Sequence, residues 1–214
     1  MKTRHFLWLP LSLVAGSAVS GGAMPLQAIV LDPGVPADEL LEVWVPKSGP
    51  VPKRIDATLG LGEETGGRIL RVFQADGDAS RYRVSVQFET SMGISGEGPH
   101  IDLLDWKHCR SEWRPAQPVD ADGFRLPIPT DGEQTCFPHA TREELRAAVQ
   151  QALGKYDWGR ESNRQWLGRV DQASHVGEFP SYVAISMVRV RIEQHVGGTW
   201  TLLTTIDFSV PMGC

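Results

Sequence analysis

An α+β fold built mainly on antiparallel β-sheet is what the sequence predicts, and three observations predict it. Short apolar runs with period-two alternation recur along the chain, punctuated by 22 glycines and 15 prolines. Clean helical periodicity is confined to the segment that follows Thr141. The C-terminal end holds two long alternating segments around Val196-Gly-Gly198, the pattern of a hairpin. The expected architecture is a meander followed by that long hairpin, with one amphipathic helix packed on the sheet.

The N-terminus reads as an export signal. Lys2 and Arg4 supply a basic start, Phe6–Ala15 a short apolar run, and Gly16–Ala23 a small-residue stretch that allows cleavage after Ser20 or Ala23. The apolar run falls short of the roughly 20 residues a membrane span needs. Residues 1–23 are therefore expected to be a secretory signal peptide, and residues 24–214 a single domain in the periplasm or outside the cell. Removing Lys2 and Arg4 takes the basic count from 21 to 19 against 26 acids, so the formal charge moves from −5 to −7. An acidic chain with no basic run is a poor partner for nucleic acid or for an anionic membrane surface.

Taken in order, Leu26–Pro36 is apolar and then turn-forming at Asp32-Pro-Gly, and Leu40–Val45 is the first expected strand. Arg54–Leu61 and Arg68–Gln74 alternate, with Gly60–Gly67 read as a hairpin turn between them and Asp76-Gly-Asp78 as the next turn. Arg81–Thr90 sends Tyr82, Val84, Val86 and Phe88 to one face and Arg83, Ser85, Gln87 and Glu89 to the other. Thr141-Arg-Glu-Glu144 fits a capping box, and Leu145, Ala148, Val149, Ala152 and Leu153 form one stripe that Gly154 closes. Gly154–Ser181 is polar and mixed, a long connection in which a short helix near Glu161–Val170 has only weak support. Tyr182–Gln194 alternates through Val188, Val190 and Ile192, and its apolar phase shifts near Met187, which predicts a bulge. Thr199–Val210 is expected to send Trp200, Leu202, Ile206 and Phe208 to one face.

In an exported chain, Cys109 and Cys136 most simply form a disulfide, leaving Cys214 over, although pairings with Cys214 stay open. The bridge would close a loop of roughly 28 residues, worth about 3 kcal/mol in the chain-entropy model. That loop carries four prolines and little periodicity, so it needs a staple. Cys136-Phe-Pro-His139 has a spacing zinc could use, but adjacent His108 and Cys109 point apart in an extended chain, so no metal and no other cofactor is expected.

Two sets of residues are candidates for function. His100, Asp102, Asp105 and His108 could form an acid/base cluster: on a strand His100 and Asp102 lie about 7 Å apart on one face, and on a helix Asp105 and His108 are neighbours. No nucleophile motif such as G-x-S-x-G, H-E-x-x-H or S-x-x-K accompanies them. Trp113, Trp158 and Trp166 lie in arginine-rich surroundings with Arg160 and Arg164, a composition enriched at protein–protein hot spots. The favoured expectation is a non-catalytic binding protein, such as an inhibitor or immunity-type partner of another exported protein. It would use the 154–181 connection together with the stapled loop. The alternatives are a cell-envelope hydrolase using the His/Asp cluster and a structural envelope component.

Overall fold

A computed structural model describes residues 26–32, 41–44, 50–74, 81–96, 99–155 and 159–212. The signal segment, the Asp32-Pro-Gly turn beyond Asp32, Asp76-Gly-Asp78, Trp158 and Cys214 lie outside these residues. Two sheets organise them. The first contains β1 (Leu26–Asp32), β2 (Leu41–Trp44), β4 (Ile69–Gln74), β9 (Gln117–Pro118) and β10 (Gly123–Arg125), in the order β2-β1-β4-β10-β9. The second runs β3 (Arg54–Thr58), β12 (Thr199–Ser209), β11 (Ser181–Val196), β5 (Tyr82–Ser95), β6 (His100–Asp102). Two further short strands, β7 (Cys109–Arg110) and β8 (Arg114–Pro115), also pair with β5. Pairing is antiparallel except for β3 with β12.

β5 and β11 are the spine. Their alternating residues Tyr82, Val84, Val86, Phe88, Val188, Val190 and Ile192 meet Ile29, Leu31, Leu70, Val72 and Phe124 of the other sheet in the larger core. Further along the same strands, Met92 and Ile94 with Ile101 pack on the helices α2 (Arg142–Leu153) and α3 (Gly159–Gln172) in a second core. The bulge expected near Met187 is present: the register against β5 shifts between Ile185 and Met187. By inserting one residue it lets Val188, Val190 and Ile192 face the first core while Val183 and Ile185 still face inward.

Several expectations are corrected. The meander does not form, because β3 and β5 belong to one sheet and β4 to the other. Gly60–Gly67 is consequently a crossing between sheets and not a hairpin turn. Leu26–Asp32, read as an apolar lead into a turn, is a strand flanked by β2 and β4. Among the described residues there are three helices rather than one: α1 (Asp131–Thr135) sits inside the stapled loop, and half of the expected 154–181 connection is α3. The stapled loop also hydrogen-bonds with both sheets, through β7 and β8 on β5 and β10 on β4. It lacked internal periodicity because its partners lie elsewhere in the chain. α2 begins as expected, with Thr141 and Glu144 in a capping box and Leu145, Ala148, Val149 and Leu153 buried. Gly154 ends it in a right-handed conformation, without the left-handed turn that favours glycine. Cys109 and Cys136 form the disulfide, with Cα atoms 5.7 Å apart.

Candidate functional site

β6 is short and lies at the edge of the seven-stranded sheet, where Asp102 pairs opposite Gly93 and His100 opposite Ser95. Two-residue spacing puts both side chains on one face, and His100 Nε2 approaches Asp102 Oδ2 at 3.4 Å. Asp102 Oδ1 accepts a hydrogen bond of 3.0 Å from the Tyr182 hydroxyl. Tyr182 stands on β11, opposite Gly93, so its ring must cross β5. It can do so because position 93 has no side chain: a Cβ there would lie 2.5 Å from the ring. Asp105, in the turn after β6, pairs with Lys155, whose hydrogen bond and charge hold the carboxyl below its usual range. His100, Asp102, Asp105 and Lys155 line a cleft of about 320 Å³ with Trp106 and Gln151. A carboxylate held between a phenol and an imidazole can orient the imidazole as an acid or base, yet among the described residues no serine, threonine or cysteine lines this cleft.

His108 is not part of it, which corrects the four-residue cluster. Beyond β6 the chain turns, and His108 Nδ1 sits 2.9 Å from Ser91 Oγ and 3.7 Å from Glu89 Oε1. Glu89, with its side chain 6% exposed, accepts hydrogen bonds from Arg189 at 2.6 Å and from Arg110. Ser91 and Ser186 exchange a hydrogen bond of 2.6 Å where β11 bulges. Ser91 and Ser186 are themselves buried, so this network satisfies polar groups beneath the disulfide and presents no open nucleophile.

The tryptophan set also divides. Trp113, in the turn between β7 and β8, is partly exposed, and the Arg191 guanidinium lies over its ring at 4.5 Å. Trp166 is 6% exposed and belongs to the second core. The β8 partner Val86 and Gly96, against which Trp166 packs, are separated by roughly 30 Å of strand. Trp113 and Trp166 therefore do not share a recognition surface. Arg160 and Arg164 are exposed on α3, and Arg164 pairs with Glu161 at 2.7 Å.

Trp200 and Leu202 were expected on the same face as Ile206 and Phe208, and they are not. The register of β12 against β11 shifts between Ile192 and Glu193, which leaves Leu203 as the extra residue and reverses the alternation beyond it. Thr204, Ile206 and Phe208 are buried, while Trp200 is 38% and Leu202 44% exposed. Arg83 lies over the Trp200 ring at 4.9 Å, and His195 packs against it at 5.0 Å. The outer face of the sheet thus carries two arginine-backed indoles, Trp113 on Arg191 and Trp200 on Arg83. Glu193 is bonded to Arg83 at 2.8 Å between them, and this bond holds its carboxyl below the usual range. Only the doubled apolar run Leu202-Leu203 hinted at the phase change.

Among the described residues, no group of three or more His, Cys, Asp or Glu side chains is placed to hold a metal ion, and no helix is long and apolar enough to cross a membrane. The chain matches no family model, no curated protein and no solved structure.

Proposed function

We propose that this chain is an exported, non-catalytic binding protein, an inhibitor or immunity-type partner of another exported protein, and that it binds through the outer face of its seven-stranded sheet. The observation that carries this reading is the pair of arginine-backed indoles, Trp113 and Trp200, beside exposed Leu202. Tryptophan and arginine dominate the energetics of protein interfaces, and an arginine already stacked on the ring orders both side chains before a partner arrives. The charged pair beside them, exposed Arg83 with Glu193, suits the edge of such a surface. The basic, apolar and small-residue order of residues 1–23 supports export, and the Cys109–Cys136 bridge fits an oxidising compartment.

The test is affinity capture from cell-envelope extract by the mature chain, beside Trp113→Ala/Trp200→Ala and Arg160→Ala/Arg164→Ala variants. A stoichiometric partner lost with the tryptophan pair and kept with the arginine pair is the expected result. A partner lost only with the arginine pair would move the surface to α3. Capture of nothing by the wild-type chain would count against binding as its role.

The hydrolase reading keeps one supporting observation, the Tyr182–Asp102–His100 chain at a cleft. Its test is turnover of envelope polymers by the wild type that His100→Ala abolishes.

A further inference from the structure

Beneath the connection that carries the chain from one sheet to the other lies a pocket of about 350 Å³, within the range of small-molecule sites. Its floor is apolar: Leu59, Phe88 and Val188 come from the larger core, and Val183 and Ile185 from the bulged stretch of β11. The pocket reaches the core because the Ile185–Met187 bulge sits here, next to Val210, whose backbone N–H bonds to the Ser186 carbonyl.

Both walls are held in place without a ligand. One is the crossing segment at Glu63–Gly66; a Cβ at Gly66 would stand 3.3 Å from Ile128 Cα and Pro129 Cδ, so the two walls touch at this glycine. The other wall is the stretch from Ile128 through α1. Arg114 bonds the Ile128 carbonyl at 3.0 Å and Glu133 at 2.7 Å, Thr130 and Glu133 cap α1, and Cys136 ties its end to β7. At the mouth the chemistry changes. Ile128 is 64% exposed at the lip, and among the described residues the charged side chains in the lining are Glu63 and Glu64, both exposed and both acidic. Glu63 already bonds the Gly60 amide through Oε2, which fixes its carboxylate at the rim.

An apolar hole with acids at its mouth selects one kind of ligand. We infer that this pocket binds a small amphiphilic cation, with an alkyl or aryl group in the hole and an ammonium or amidinium group at Glu63 and Glu64. The site is separate from the outer sheet face and does not depend on it.

Calorimetric titration with hexyl- and octyltrimethylammonium and with octanoate tests it. The expected result is saturable one-to-one binding of the octyl cation, about fifteenfold tighter than the hexyl, since each buried methylene is worth roughly a factor of four. Octanoate should bind at least about tenfold more weakly at low salt, with the difference narrowing as salt screens the exposed acids. Ile128→Lys, on an exposed residue, should weaken the cation without disturbing the fold, which circular dichroism would verify. Glu63→Gln/Glu64→Gln should remove the preference for the cation and keep the chain-length dependence. No saturable binding of the octyl cation, or binding unchanged by Ile128→Lys, would overturn the site. Octanoate binding as tightly as the cation would overturn the ligand class.

Discussion

Gly93 lies under the ring of Tyr182, and that contact lets a tyrosine on β11 reach a carboxylate on β6 across the whole width of β5. Gly93→Ala should therefore lower stability by about 1–3 kcal/mol through overpacking. Tyr182→Phe, which removes the bond to Asp102, should cost about 1 kcal/mol. Urea unfolding of the two variants compares them, and a neutral Gly93→Ala would mean the ring does not rest on the strand. Glu89 gives a pH prediction. Burial pushes its carboxyl up, but the hydrogen bonds and charges of Arg189 and Arg110 outweigh burial and hold it below the usual range. A carboxylate depressed in the fold adds stability above its unfolded value near 4.3, and that share is lost as pH falls through the lower folded value. Glu89→Gln should start about 3 kcal/mol less stable near pH 7, because Arg110 and Arg189 both lose this buried carboxylate, although Arg189 keeps Asp207 at 3.7 Å. It should then lose less than the wild type on going to about pH 3. Equal losses in the two proteins would place the titration elsewhere. At this scale the His100–Asp102 pair was legible only as one of two arrangements, strand or helix, and the strand is the one that forms. Tyr182 was not legible, because it comes from a strand far along the chain.

Among the elements, α2 was legible to its first residue because its stripe and capping box are local. α3 was not, for a physical reason: it buries only Trp166 and Val170 fully, and much of its support comes from α2. Arg146 bonds Asp171 at 2.6 Å, and Arg142 bonds the Ala173 carbonyl at 2.6 Å. A helix held by tertiary partners leaves little periodicity to read. Trp166→Ala should cost about 3–5 kcal/mol as a core truncation, whereas Arg160→Ala/Arg164→Ala should stay within about 0.5 kcal/mol. Thermal unfolding decides between them, and a neutral Trp166→Ala would remove α3 from the second core. β12 shows the opposite failure, a strand placed correctly with its outer half turned over. One extra residue at Leu203 reverses a period of two, and apolar character alone does not say where an extra residue will be absorbed.

For the whole molecule, the Cys109–Cys136 bridge joins a segment that touches both sheets and α1, so it ties the layers together. Cys109→Ser/Cys136→Ser should lower stability by about 3 kcal/mol, measured by thermal unfolding. A wild type indifferent to reductant would mean that the ladders of β7, β8 and β10 hold the segment unaided. The sequence by itself determined the α+β class, the sites of β2, β3, β4, β5, β11 and β12, the start of α2 and the bulge near Met187, and it offered the Cys109–Cys136 bridge as the simplest of three pairings. Each of the determined features rests on residues close together in the chain. Only the tertiary structure decided that β3, β4 and β5 alternate between two sheets, that Trp113 and Trp200 stand on one outer face while Trp166 is buried, and that a pocket opens where the chain crosses between sheets. The reason is that alternation tells a strand it has one dry face without saying which sheet will cover it. That choice is made by hydrogen bonds and packing between segments distant in sequence, and no local pattern records them.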